Sequence, residues 1–332
     1  MKVRDYIIRG FKKTYQILFQ KVFYPPICIF DRQESNDLIY QLLNENKPIM
    51  ISRFGTTEIN TINNYQTVNA RKPYFIKCFD YITDKTHTPW WNTSHFEIMS
   101  VYSGIFPANR DTAEKFSIRS LSDIPLIDLL GCHQYYEKFM PLSNKLIQVQ
   151  LEMLYPFFVD HPWTRVLKGK KVLVIHPFEE TIRLQYEKRN KLFENPDVLP
   201  DFELLTYKAV QSVAGNKVPY QSWFEALKKM EDDISLIDFD YALIGCGAYG
   251  MPLAAYIKRM GKKAIHIGGG LQLMFGILGN RWTRQYEKVW NYRPGIVINT
   301  NYKVLFNDYW IYPVEKDTPI NSYKVEDNCY WK

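Results

Sequence analysis

Four short blocks hold residue types suited to phosphate or proton chemistry. Gly245-Cys246-Gly247-Ala248-Tyr249-Gly250 has the G-x-G-x-x-G spacing. Glycines so placed between a strand and a helix let backbone N–H groups approach a pyrophosphate at the helix N-terminus, where the dipole favours anions. Tight strand–helix packing without a ligand is the other use of that spacing. A nicotinamide or flavin enzyme also wants Asp or Glu after the next strand, for the ribose hydroxyls. Here that strand ends His266-Ile267-Gly268, which counts against NAD and leaves the diphosphate of another nucleotide, such as a sugar donor. Gly268-Gly269-Gly270, followed by Leu271 and Gln272, is the second block. Three successive glycines are costly unless something approaches the backbone closely. A second phosphate or ribose contact, or a tight crossing against another loop, meets that condition.

Ser52-Arg53-Phe54-Gly55-Thr56-Thr57-Glu58 is the third block. Thr56 or Thr57 is placed to cap a helix, and Glu58 to complement its dipole. Capping does not account for Arg53, a charge ending an apolar run that needs a partner or a bound anion. The fourth is His176, which follows the apolar run Lys171 to Ile175 and reads as either a structural or a catalytic imidazole. Glu179 and Glu180 beside it suit a solvated first helical turn.

These blocks need a scaffold, and the sequence lays one out. Helical periodicity covers Glu34 to Asn44, and Pro48 to Phe54 reads as a buried strand. Trp90 to Pro162 reads as mostly helical, broken near Gly104 to Pro107. Strands at Lys171–Ile175, Phe202–Val210, Tyr241–Gly245 and Lys263–Ile267 then alternate with helices at Glu179–Phe193, Ser222–Asp233 and Pro252–Met260. That alternation predicts an α/β fold, a Rossmann-like parallel sheet with helices on both faces, plus a helical N-terminal portion. Ligands of such sheets sit at the strands' carboxyl ends, where the blocks fall. The predicted organisation is an N-terminal segment over 1–26 and one domain over 27–332, with its nucleotide-binding βαβ core at about 168–280. The tail from Pro294 is expected to pack irregularly over the sheet.

The 332 residues carry 42 Lys+Arg and 35 Asp+Glu, a net charge of +7. Met1 to Tyr24 holds six of the bases and one acid, five of those seven units. With an apolar stripe through Ile7, Phe11, Leu18 and Val22, this segment suits an anionic membrane surface; a helix docked on the protein's own core with its bases in water is the alternative. Nucleic acid is not an expected partner, because no concentrated basic face is visible elsewhere. Five scattered cysteines form no C-x-x-C pair, so neither a zinc site nor a disulfide framework is expected. No run is apolar enough to span a bilayer, and no signal peptide is visible. The expected location is the cytoplasm, at the inner face of the cell membrane. Of the 52 aromatic rings, Trp90, Trp91, Tyr102, Phe106, Tyr249, Trp282 and Trp290 lie near the candidate blocks, where sugars would stack.

The turn ISRFGTTEI, from Ile51 to Ile59, resembles that of the GT-D-type bacterial glycosyltransferases. GIFPAN at Gly104 to Asn109, GKKVLVIHPF at Gly169 to Phe178 and the glycine-rich block from Ala242 to Gly276 resemble a polysaccharide-biosynthesis branch of that group. Arg281-Trp282 and Glu326 to Trp331 add to a likeness running from about Ile39 onward. It implies a transferase that takes a sugar from a nucleoside diphosphate, a UDP-sugar first among them, to a cell-surface polysaccharide or lipid-linked glycan precursor, as in capsule or O-antigen. In the family pattern the turn carries Asp-x-Glu, which binds a divalent metal and the donor diphosphate. Glu58 matches the Glu, and Thr56 stands where the Asp would be. A neutral hydroxyl is a poor substitute for a carboxylate on Mn²⁺ or Mg²⁺. Either Glu58 binds metal with other help, or Arg53 and the glycine amides neutralise the diphosphate alone, freeing Glu58 as general base with His176 as its rival. Gly245, Gly247, Gly250, Gly268, Gly269, Gly270, Gln272 and Thr56 are the candidate donor-binding residues. A catalytically silent nucleotide- or glycan-binding scaffold is the alternative function.

Overall fold

The computed structural model describes residues 3–20 and 22–332. Met1, Lys2 and Lys21, part of the expected N-terminal segment, lie outside the described residues. Seven strands, β1 (Ile49–Arg53), β2 (Leu129–Cys132), β3 (Ile147–Gln150), β4 (Lys171–His176), β5 (Glu203–Lys208), β6 (Tyr241–Ile244) and β7 (Lys263–His266), form one sheet. Their order is β3-β2-β1-β7-β6-β4-β5, and every pairing is parallel. Among the described residues, nine helices of eight residues or more accompany them: α1 (Val3–Leu18), α2 (Arg32–Asn44), α3 (Thr56–Asn69), α4 (Tyr74–Ile82), α5 (Thr93–Ser103), α6 (Arg110–Asp123), α7 (Glu179–Tyr186), α8 (Trp223–Ser235) and α9 (Gly250–Arg259).

Apolar runs form these strands because both sheet faces are covered. Along β4, Val172 and Val174 enter one core layer, and Leu173 and Ile175 the other, as the two-residue strand period requires. Helix starts follow local chemistry. The Asp31 carboxylate accepts the Glu34 N–H at 2.7 Å, and the side-chain oxygen of Asn109 accepts that of Thr112 at 2.9 Å. The connection leaving β4 runs outward to β5, whereas that leaving β6 runs inward to β7. Connections that diverge at adjacent strands open a crevice at their carboxyl ends.

The Rossmann-like expectation holds, with local corrections. β2 and β3 lie in the stretch expected to be mostly helical; β2 is a four-residue apolar run without period, and the alternation of β3, Ile147-Gln148-Val149-Gln150, covers too few residues to set strand against helix. The helix expected over Glu179–Phe193 stops at Tyr186 and continues as a 3₁₀ turn over Arg189–Lys191. The tail is not wholly irregular: β8 (Glu287–Arg293) and β9 (Ile296–Asn301) form an antiparallel hairpin. Its turn is Pro294-Gly295, with Gly295 at φ +79°, a backbone conformation that favours glycine. Gly55, rather than Thr56 or Thr57, is the N-cap of α3, without a side-chain cap.

Candidate functional site

Loops after β1, β4, β6 and β7 enclose a cleft of about 210 Å³. Its wall brings together Arg53, Thr56, Glu58, His176, Gly245, Gly247, Gly268, Gly269 and Gln272, which are far apart in sequence. A second compartment of about 460 Å³ lies toward β2, β3 and the hairpin, and Arg53, Thr56, Gly269, Arg281, Glu326 and Tyr330 line both. Gly270 lines only the second, and Gly250 lies behind the first.

Arg53 ends β1 with its side chain beside Gly268, where a Cβ would meet its Cδ at 3.4 Å. Among the described residues its guanidinium makes no hydrogen bond and no ion pair; the Glu58 and Glu137 carboxylates feel its charge without touching it. A half-buried guanidinium left without a partner at the mouth of strand ends is suited to holding an anion. Glu58, one turn into α3, folds back over the N-cap: a Cβ on Gly55 would sit 1.9 Å from its Oε2. Burial raises its pKa against the opposing pull of its own backbone N–H, the Arg53 charge and the Ser103 hydroxyl.

His176 is buried at the end of β4, and its Nδ1 accepts the Phe178 N–H at 3.0 Å. That bond assigns the ring proton to Nε2. Burial pushes the pKa down to about 3, so the ring is neutral. In this arrangement it offers a donor rather than the base considered from sequence. His266, which the sequence reading passed over, ends β7 in a similar state: its Nδ1 meets Ser52 Oγ at 3.0 Å, and burial, then Arg53, push its pKa to about 3.

The glycines divide by task. A Cβ on Gly245 would press on His176 at 2.7 Å, on Gly250 on His266 Nε2 at 2.3 Å, on Gly269 on Tyr330 at 2.4 Å and on Gly270 on Tyr155 at 2.1 Å. Those four permit close packing. Gly247 and Gly268 instead hold φ of +58° and +62°, which favours glycine. The N–H groups of Gly247, Gly268 and Gly269 find no acceptor among the described residues. They give the cleft free donors beside Arg53. Gln272 is chiefly a tie: its amide donates to the carbonyls of Leu278 at 3.0 Å and Tyr330 at 3.3 Å, while its Oε1 is buried without a partner.

The ridge between the compartments is built by the tail. Arg281 donates to Tyr330 Oη at 3.1 Å and pairs with Glu326. Tyr330, Arg281 and Glu326 were legible only as part of the resemblance, since no local spacing marks them. Trp282, Trp290 and Tyr155 line the larger compartment, and Tyr102 and Tyr249 the smaller. Trp90, Trp91 and Phe106 line neither.

The residues present do not fit a divalent metal. Glu58 is the one carboxylate of the turn, it is folded onto its own helix N-terminus, and the Arg53 cation stands close by. Thr56 supplies a neutral hydroxyl, and no group of three or more His, Cys, Asp or Glu able to hold a metal exists among the described residues. Also among them, no helix is long and apolar enough to cross a membrane. Comparisons with protein-family models, with curated proteins and with solved structures find no match to this chain.

Proposed function

We propose that this chain is a glycosyltransferase that moves a sugar from a nucleoside diphosphate to a glycan or lipid-linked acceptor, as in the polysaccharide-biosynthesis branch of the GT-D-type enzymes it resembles. The observation that carries this reading is the unpaired Arg53 set against free backbone donors at Gly247, Gly268 and Gly269. Together they suit a diphosphate leaving group, whose charge must be neutralised as its bond to the sugar breaks. UDP is the nucleotide proposed, with no metal step. The acceptor hydroxyl attacks the anomeric carbon, the carbon–phosphate oxygen bond breaks with its electron pair passing to the diphosphate, and the acceptor's proton goes to Glu58. His176 Nε2–H serves as a neutral donor in the same cleft. The larger compartment, with Trp282, Trp290 and Tyr155, suits a glycan whose C–H faces stack on rings.

Calorimetric titration with UDP and turnover of UDP-sugars test this. Arg53→Gln should weaken UDP binding about tenfold to a hundredfold, the worth of a lost charge-assisted contact. Glu58→Gln should keep UDP affinity and lower transfer at least about a hundredfold. Absence of nucleotide binding would overturn the reading. Tight binding without turnover of any donor, acceptor present, would leave the non-catalytic scaffold.

A further inference from the structure

Helix α1 is amphipathic in the reverse sense. A helix resting on a globular protein turns its apolar stripe inward. Here the inward face is polar. Lys12 Nζ reaches the buried Asp84 at 2.6 Å and lies 4.1 Å from the ring centre of Tyr81. Gln16 donates to the same carboxylate at 3.0 Å, and Arg9 stands over Trp90 at 6.0 Å. Arg4, at the flank, lies 4.6 Å from the centre of Tyr74.

At about 100° per residue, Tyr6, Ile17, Val3, Ile7, Leu18 and Phe11 follow one another around the opposite side. All are open to solvent, from 54% exposed at Ile7 to 77% at Val3. Gly10 and Thr14, the other residues of that side, are exposed too. Arg4 and Lys13 are exposed along its two borders. The packing of α1 therefore spends its cations on α4 and the Asp84 turn and leaves its apolar face without cover.

We infer that this face docks α1 flat on a bilayer that contains anionic phospholipid. Side chains of this kind bury into the headgroup–acyl boundary while bordering cations meet the lipid phosphates. Charge decides against a second copy of the chain: the cations exposed along the borders of this face are Arg4, with the buried Asp5 at 3.3 Å, and Lys13, so pairing two such faces would set like-charged borders together. The inference stands independently of the proposed reaction.

The test is co-sedimentation of the whole protein with vesicles of phosphatidylcholine alone or with phosphatidylglycerol. The protein should pellet with the anionic vesicles, and less so as salt rises. Ile7→Ser combined with Phe11→Ser should reduce partitioning at least about tenfold, since two buried apolar side chains are lost. The thermal midpoint should hold, because both positions face solvent. Arg4→Gln with Lys13→Gln should abolish the preference for anionic over neutral vesicles. Failure of the wild-type protein to pellet, or undiminished partitioning of the Ser variant, would overturn the inference. So would a concentration-dependent dimer in ultracentrifugation that the Ser variant dissolves, which would assign the face to a second copy.

Discussion

Glu58 shows how a single missing side chain sets a site. Its carboxylate occupies the space that any Cβ at position 55 would need, so Gly55 permits the burial that raises its pKa. Gly55→Ala should force the carboxylate outward into water and restore an ordinary acidity. If Glu58 takes the acceptor's proton, the acid limb of the pH–rate profile then moves to lower pH and the rate falls more than about tenfold. UDP affinity should change little; an unmoved acid limb would exclude Glu58 as the titrating base. The place of Arg53 in the cleft was legible because a charge ending an apolar strand has few explanations, and Glu58 follows from the same turn. The fold-back over Gly55 was not, since it depends on one rotamer and not on residue type. His176 teaches the same lesson: strand-end position predicted its place in the cleft, while its donor role follows from the Phe178 N–H.

Among the elements, the segment after the hairpin lines both compartments, through Glu326 and Tyr330. Glu326, Asp327 and Asn328 hold φ of +43°, +53° and +62° in succession, a left-handed turn that costs side-chain-bearing residues about 1–2 kcal/mol each. It seats Tyr330 over Gly269 and Trp331 against Phe178, with ring centres 5.8 Å apart. The Trp331 indole N–H donates to the Asp317 carbonyl at 3.2 Å. Trp331→Ala should cost about 3–5 kcal/mol in urea unfolding and weaken UDP binding; unchanged values for both would remove the segment from the site. The four strands of the βαβ core were readable to within two residues at either end, because apolar runs alternate there with amphipathic ones, although the helix from Glu179 ends well short of Phe193. This segment was not, since consecutive left-handed residues leave no pattern of hydrophobicity.

Burial holds four of the molecule's six histidines uncharged. Burial pushes His87, His133, His176 and His266 down to about 3, from about 6.5 when unexposed to such surroundings. Below pH 6.5 the unfolded chain takes up protons that the native state refuses, so stability is full above that pH and declines as pH falls toward 3. Glu137, raised by burial to about 7, acts in the opposite sense: its contribution is present below its unfolded value of 4.5 and is lost as pH rises through 7. Denaturation midpoints should therefore drop below pH 6.5, with each histidine adding up to about 1.4 kcal/mol per pH unit to the slope. His87→Gln should remove one such increment between pH 6 and 4. An unaltered slope would show that His87 titrates alike in both states.

The seam between β1 and β7 has one more consequence. Ile51 lies beside Ile265 there, and the same pairing carries Arg53 to Gly268. Strands joined from such distant parts of the chain raise contact order, and loop-closure entropy must be overcome before the pairing contributes anything. Arg53 reaches the cleft from the β1 side of the seam, and Gly247 and Gly268, with N–H groups unpaired among the described residues, from the β6 and β7 side. If the proposed diphosphate binds across both sides, its affinity reports on the closing of a single seam, and through it the ligand would favour the folded chain by mass action where the chain's own assembly is most demanding.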